Sequence, residues 1–170
     1  MQKIKTTLLS YGMSGKVFHA PFLNLHPGFE LLSSWERSKK LIQLDYPEVR
    51  SFASLESVLE SDAELIVVNT PVGTHFEYAK KVLLAGKHAL VEKAFTTTLA
   101  EAQELTALAK AKGLKLAVFQ NRRWDSDFKT VNSDSYKLSK ASKELSISSV
   151  EQNNIDIASL SKEKEIAVSK

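Results

Sequence analysis

The residues best suited to chemistry in this chain form a short turn that contains two glycines. An apolar run at residues 4–9 leads into the sequence SYGMSG at residues 10–15, and a helical pattern begins near Lys16. Glycines at this spacing let the backbone turn tightly and approach a pyrophosphate at a helix N-terminus. The turn therefore predicts a dinucleotide site, with Gly12 and Gly15 at its centre.

The turn departs at one position from the full G-x-G-x-x-G fingerprint. Ser10 stands where the first glycine belongs, and a Cβ there is poorly tolerated if φ is positive. The acidic residue expected about 20 residues further on is present as Glu36, which would face the adenosine ribose. Since glycine-containing turns between a strand and a helix are common, the hexapeptide alone is a weak signal.

Alternating strand and helix patterns surround this turn. Residues 65–69 have the near-continuous hydrophobicity of a parallel strand that is covered on both faces. The predicted strands are 4–9, 29–35, 49–52, 65–69, 88–93 and 114–121. Capping boxes at 74–77 and 98–101 begin two helices, which Gly86 and Gly113 would end. This order predicts an α/β fold, a doubly wound parallel sheet of the Rossmann type with helices on both faces and the ligand at the carboxyl ends of the strands.

Composition excludes several classes of protein. The chain has 170 residues, 43% of them hydrophobic, and no cysteine, which excludes a disulfide scaffold and a thiolate zinc site. No histidine pair has metal-ligand spacing supported by a carboxylate, so we predict no metal. We see no signal peptide and no apolar run of about 18 residues, so we expect a cytoplasmic protein without a membrane partner. The net charge of +3 comes from scattered residues and does not indicate nucleic acid.

Three motifs at predicted strand ends indicate a known family. The sequence NTP at 69–71, followed by His75, closes the fourth predicted strand, EKA at 92–94 closes the fifth, and NRRWD at 121–125 closes the sixth. With the glycine turn and FHAP at 18–21, they resemble the nucleotide-binding half of the Gfo/Idh/MocA oxidoreductases over roughly residues 3–131. The resemblance implies NAD- or NADP-dependent hydride transfer on a sugar, cyclitol or related hydroxyl.

The resemblance also implies a set of site residues. Lys93 would be the catalytic residue, because it would contact the substrate and stabilise charge on the reacting oxygen. The residues implied to bind the dinucleotide are Tyr11, Gly12, Met13, Ser14, Gly15, Glu36, Arg37, Ser38, Asn69, Thr70, Pro71, His75, Glu92 and Trp124. Trp124 and Asp125 together resemble a subgroup pattern at the cofactor or substrate edge.

Several of these residues also have a simpler interpretation. Lys93 could be a solvent-exposed lysine at a strand end, and His75 could merely occupy the first turn of its helix. His19 could be a helix residue with satisfied hydrogen bonds. Trp124 could pack against the sheet edge, and the two arginines before it could be solvated charges.

The third residue of the family's E-K-P motif is Ala94 in this chain. A cis Lys–Pro bond is typical of the family, whereas a cis bond before alanine costs about 2.5–4 kcal/mol. The local turn, and with it the direction of Lys93, is therefore an open question at the level of the sequence.

The choice between NADP and NAD depends on the residues around the ribose. Glu36 can accept hydrogen bonds from a free 2′-hydroxyl, which favours NAD. Arg37, Ser38 and Lys39 follow directly and could bind a 2′-phosphate, which favours NADP. Because three donors cluster there, we favour NADP.

The C-terminal residues depart from the family pattern. Residues 132–170 contain no glycine or proline, and their apolar residues fit neither the helix nor the strand period. We therefore predict a Rossmann domain at 1–131 and a polar tail at 132–170, disordered or loosely docked. The family's second domain, which supplies substrate contacts and an acid/base residue, is not visible, so we expect a truncated or frameshifted product that is weakly active or inactive alone.

Two further functions remain open. The chain could be a non-catalytic dinucleotide-binding module or a subunit that needs a partner chain, or it could be an inert remnant. A small polyol or sugar would bind only if a second domain is supplied. A homo-oligomer is possible, because the surface that a second domain would cover is left exposed.

Overall fold

Six strands alternate with helices and form one parallel sheet in the computed structural model, which describes residues 2–36 and 39–124. The strands are β1 (Ile4–Leu8), β2 (Phe29–Trp35), β3 (Arg50–Phe52), β4 (Leu65–Val68), β5 (His88–Glu92) and β6 (Leu116–Phe119). The helices are α1 (Ala20–Leu25), α2 (Ile42–Asp45), α3 (Leu55–Glu60), α4 (His75–Leu84) and α5 (Leu99–Ala111). A π-helical turn at Gly15–His19 runs directly into α1, and 3-10 turns lie at Val72–Thr74 and Asn121–Trp124.

The sheet order is β3-β2-β1-β4-β5-β6, and every neighbouring pair is parallel. The chain winds outward from β1 in one direction and from β4 in the other. The predicted doubly wound Rossmann sheet is therefore confirmed. The winding reverses between β1 and β4, so the loops that follow these two strands border a crevice at the edge of the sheet.

Burial on both faces of the sheet explains why the sequence of β4 is almost continuously apolar. Leu65 and Val67 pack into the core on one face of the sheet, and Ile66 and Val68 pack into the core on the other. All four side chains are buried, because successive residues of a strand point to opposite faces and helices cover both. The strands are one or two residues shorter than predicted at several ends, where the chain leaves the sheet and enters the loops.

The helix ends test the capping predictions. The box at 98–101 is confirmed, since Thr98 Oγ1 accepts from the Glu101 backbone N and the Glu101 carboxylate accepts from the Thr98 backbone N. The prediction of a capping box at 74–77 is wrong, because the Thr74 side chain makes no cap hydrogen bond. The Thr74 hydroxyl donates instead to the Pro71 carbonyl and lies 2.8 Å from the Thr70 hydroxyl, because a 3-10 turn precedes the helix and uses this hydroxyl.

The two helix-ending glycines are also confirmed. Gly86 and Gly113 have φ of 76° and 65°, the left-handed region that favours glycine. Within the described ranges, no helix has the length and hydrophobicity needed to cross a membrane. The predicted tail at 132–170 lies outside the described residues.

The capping box in α5 makes a testable contribution to stability. Thr98→Ala should lower the free energy of unfolding by about 1 kcal/mol, because it removes the acceptor at the N-cap. Thr106→Ala in the same helix removes a hydroxyl that donates to the Ala102 carbonyl, and should change stability by less than about 0.5 kcal/mol. Urea unfolding of both variants measures the difference, and equal losses would contradict a capping role for Thr98.

Candidate functional site

A cleft with a volume of about 470 Å³ opens where the winding of the sheet reverses. Its walls come from the loop after β1, the end of β2 and the loop after β4. The lining residues are Leu9, Ser10, Tyr11, Gly12, Trp35, Glu36, Lys39, Leu41, Thr70, Pro71, Thr74 and Tyr78. This is the position at which doubly wound sheets bind their ligands.

The two glycines of the turn have different structural requirements. A Cβ on Gly15 would lie 2.3 Å from the Ser10 carbonyl oxygen and 3.0 Å from Asn69 Nδ2, so the fold itself requires glycine there. A Cβ on Gly12 would meet its nearest atom, Ser10 Oγ, at an ordinary 3.4 Å. The fold therefore tolerates a Cβ at Gly12, a residue that itself lines the cleft.

Ser10 has a clear role in the turn. Its Oγ accepts a hydrogen bond from the Gly12 backbone N at 3.1 Å, and its carbonyl accepts one from Asn69 Nδ2 at 2.8 Å. The serine thus stabilises the turn at the position where the fingerprint has its first glycine. Neither Gly12 nor Gly15 has a positive φ.

Asn69 follows β4 and leaves one polar atom without a partner. Its side chain is 7% exposed, and Nδ2 is used by Ser10. Its Oδ1 is buried and accepts no hydrogen bond from the described residues. Since buried acceptors are nearly always paired, this oxygen is an exception among the described residues, and it lies beside the glycine turn that Asn69 Nδ2 contacts.

His75 lies beneath the loops rather than at the surface of the cleft. The ring is fully buried, and its nitrogens lie 2.7 Å from the carbonyl oxygens of Thr70 and Ala94. The histidine therefore joins the loop after β4 to the loop after β5.

Glu92, the last residue of β5, is the centre of a buried hydrogen-bond network. Its Oε1 accepts from Ser14 Oγ at 2.5 Å and lies 2.8 Å from His19 Nε2, while Oε2 accepts from the Lys93 backbone N at 3.2 Å. Burial raises the pKa of a carboxyl, but here the hydrogen bonds from His19 and Ser14 outweigh it and hold the pKa of Glu92 below its ordinary value. Nothing in the sequence around His19 predicts this contact, because its partner lies 73 positions away in the chain.

Lys93 is exposed at the carboxyl end of β5. The peptide bond between Lys93 and Ala94 is cis, the isomer typical of the Lys–Pro bond in the resembled family. The isomer of this bond, which the sequence alone did not decide because Ala94 replaces the proline, is therefore cis in the structure.

Glu36 lines the cleft, but its carboxylate is already bound within the protein. Oε2 accepts from the Leu41 backbone N at 2.7 Å, and Oε1 accepts from the Ile42 backbone N at 3.2 Å and from Ser51 Oγ at 3.3 Å. The side chain thus holds the start of α2. These three hydrogen bonds use three of the about four acceptor positions of the carboxylate, and the remaining one is on Oε2.

Tyr11 is 5% exposed and packs into the core beside the cleft. Its hydroxyl donates to Asp45 Oδ2 at 2.8 Å, and the same carboxylate oxygen pairs with Lys16 Nζ at 2.8 Å. Burial and the Asp45 charge raise the pKa of the Tyr11 hydroxyl, whereas Lys16 and Tyr11 lower the pKa of Asp45. The contacts connect the glycine turn to the last residue of α2.

Some predicted site residues cannot be compared with the structure. Arg37, Ser38, the side chain of Trp124 and Asp125 lie outside the described part of the chain. Met13, at the tip of the turn, is 80% exposed. Among the described residues, no three His, Cys, Asp or Glu side chains come together as a metal site.

A family model covers most of the described chain. Residues 4–120 match the model GFO_IDH_MocA, described as "Oxidoreductase family, NAD-binding Rossmann fold". The chain belongs to the Gfo/Idh/MocA family. The resemblance inferred from the strand-end motifs is therefore confirmed, and the Gfo/Idh/MocA match ends shortly after β6.

Individual members of the Gfo/Idh/MocA family agree with this assignment. An uncharacterised oxidoreductase of Schizosaccharomyces pombe is 44% identical over 76% of this chain and 37% of that protein. The scyllo-inositol 2-dehydrogenase (NADP(+)) IolW of Bacillus subtilis is 37% identical over 75% of this chain and 36% of that protein. A crystal structure described as an oxidoreductase from Bacteroides fragilis has 51% identity and a TM-score of 0.73, over 81% of this chain and 43% of that one. The chain thus spans less than half the length of these relatives.

The two glycines predict opposite outcomes for stability. Gly15→Ala should lower the free energy of unfolding by about 1–3 kcal/mol, because its Cβ would overlap the Ser10 carbonyl. Gly12→Ala is the matched control and should change it by less than about 0.5 kcal/mol, because its Cβ has room. Urea unfolding measures both, and a Gly15→Ala protein as stable as the wild type would contradict the required close approach.

The Glu92 network predicts a dependence of stability on pH. Because the folded-state pKa of Glu92 lies below its ordinary value, its ionised form stabilises the native state above about pH 4.5, and this contribution is lost as the pH falls through the folded-state pKa. The melting-temperature advantage of the wild type over Glu92→Gln should therefore be largest near about pH 6 and shrink below about pH 4. Thermal melts across this range test it. A constant difference between the two proteins would be inconsistent with an ionised Glu92.

Proposed function

We propose that this chain is the NAD(P)-binding part of an oxidoreductase that transfers a hydride between the cofactor and a hydroxyl-bearing carbon of a sugar or cyclitol. The observation that carries the proposal is the cleft at the reversal of winding, bordered by a glycine turn. Gly12 leaves room there that a Cβ would occupy, and Asn69 Oδ1 is a buried acceptor without a partner. These features fit a dinucleotide with a pyrophosphate and donor hydroxyls.

The proposed cofactor is NADP rather than NAD. Glu36 already accepts hydrogen bonds from Leu41, Ile42 and Ser51, so only one acceptor position, on Oε2, remains for a free 2′-hydroxyl. Lys39 lines the same cleft and carries a positive charge suited to a 2′-phosphate. Arg37 and Ser38 lie between these two residues in the sequence and add further donors.

The proposed mechanism assigns distinct roles to the chain's own residues. The turn around Gly12 would bind the pyrophosphate, and Asn69 would accept a hydrogen bond from the cofactor. When bound, the nicotinamide supplies the hydride chemistry. Lys93 is exposed at the end of β5, where its ammonium would hold the reacting oxygen and stabilise negative charge on it.

The test is a titration of the full chain with NADPH and, separately, with NADH, followed by tryptophan emission. Trp35 lines the cleft, so we expect saturable quenching by both, with the lower Kd for NADPH. Lys39→Ala should raise the Kd for NADPH about fivefold to tenfold and leave the Kd for NADH within about twofold, because it removes a charge-assisted contact to phosphate. Lys40→Ala, a neighbouring lysine that is not part of the cleft wall, is the matched control.

Controls separate the alternatives. Gly12→Ala should abolish saturable quenching while the protein still melts cooperatively, which excludes non-specific binding. Turnover of polyols by this chain would exclude the non-catalytic module, whereas binding without turnover fits the module, a subunit that needs a partner chain and the proposed part of an oxidoreductase alike. If neither dinucleotide quenches a chain that melts cooperatively, the proposed function is wrong.

A further inference from the structure

Two donors to the Glu92 carboxylate come from the segment that begins at the glycine turn. Ser14 immediately precedes the π-helical turn Gly15–His19, and His19 is its last residue. Ser14 Oγ and His19 Nε2 both contact Glu92 Oε1, at 2.5 and 2.8 Å. The other oxygen of Glu92 accepts from the backbone of Lys93. A single buried carboxylate thus connects the turn to the strand end that carries Lys93.

The wider helical turn is what allows both donors to face Glu92. In a regular α-helix, residues five apart point about 140° away from each other around the axis. The segment instead has an i→i+5 hydrogen bond, from the Ala20 backbone N to the Gly15 carbonyl. A turn of this kind brings residues five apart closer to the same face, and π-helical turns are frequent at functional sites.

The apolar surroundings of His19 indicate that its hydrogen bond to Glu92 is the main contribution of its polar ring. The ring is 4% exposed and packs against Phe119, with the ring centroids 4.5 Å apart. The groove beside it is lined mainly by apolar side chains, including those of Phe18, Phe22 and Leu23. A phenylalanine would suit this apolar environment, whereas a buried polar ring is costly unless its hydrogen bonds are used.

We propose that His19 is a positioning residue that acts through Glu92 to hold the pyrophosphate-binding turn and Lys93 in a fixed relation to each other. The inference rests on the proposed function, because it assigns the turn to the cofactor and Lys93 to the substrate. Without the His19 donor, Glu92 retains the Ser14 hydroxyl and the Lys93 amide as donors. The buried carboxylate is then less well compensated, and the turn is less firmly held.

The test compares two variants of His19 in the full chain. His19→Phe keeps a ring against Phe119 but removes the donor, whereas His19→Gln keeps an N–H at the end of the side chain. His26→Phe is the matched control, because His26 lines the same groove but accepts from the Gly28 backbone N instead.

The first measurement needs no cofactor. Hydrogen–deuterium exchange of amides 12–16 should be about tenfold faster in His19→Phe than in the wild type, as expected for the loss of a hydrogen bond to a charged group. His19→Gln and His26→Phe should stay near the wild-type rate. Exchange in α5 should not change in any of them, which separates a local effect from general destabilisation.

The second measurement is the Kd for NADPH by the same quenching titration. His19→Phe should raise the Kd about tenfold, and His19→Gln should restore it to within about threefold of the wild type. Wild-type exchange and wild-type Kd in a folded His19→Phe protein would overturn the positioning role and leave the proposed function intact. Faster exchange together with no NADPH binding by the wild type would support the coupling and overturn the cofactor assignment.

A fallback variant keeps the test decisive if His19→Phe does not fold. Ser14 is half-buried, and Ser14→Ala removes the other donor from the turn to Glu92. Faster exchange at amides 12–16 in this variant would support the connection through Glu92. Unchanged exchange there would overturn it.

Discussion

The close approach of Gly15 to the end of β1 is the constraint on which the site depends. A Cβ at Gly15 would lie 2.3 Å from the Ser10 carbonyl, and that carbonyl is also the acceptor for Asn69 Nδ2. The two loops that border the cleft are thus joined by one backbone oxygen. The Ser10 carbonyl can accept from Asn69 while lying so close to the Gly15 backbone only because position 15 has no side chain.

Polar side chains at the strand ends hold the loops around this constraint. His75 connects the loops after β4 and β5, and Glu92 connects the end of β5 to the glycine turn. These groups are buried, so each is stable only with its hydrogen bonds formed. The same bonds that satisfy them also connect the loops to one another and to the end of β5.

Glu36, which the sequence predicts to face the ribose, also has a structural role in the fold. Its position near the end of β2 is where the fingerprint expects a ribose acceptor, and it does line the cleft. Its oxygens nevertheless accept from Leu41, Ile42 and Ser51, because the short helix α2 begins beside it and needs acceptors for its free N–H groups.

The sequence by itself determined the sheet, its winding and the family. Several features depend only on a few neighbouring residues and can therefore be predicted from the sequence. They are the burial of β4 on both faces, the capping box at Thr98 and the helix-ending glycines Gly86 and Gly113. Local pattern also explains the one capping error, since the hydroxyl of Thr74 is used by the turn that precedes its helix.

Only the tertiary structure decided which side chains meet. The network of Ser14, His19 and Glu92 joins residues more than 70 positions apart, and its two helical members share a face only through a π-helical turn. Whether the Glu36 carboxylate accepts hydrogen bonds within the protein likewise depends on where the fold places the start of α2 and Ser51. Such contacts follow from packing in three dimensions, for which a one-dimensional pattern carries no local signal.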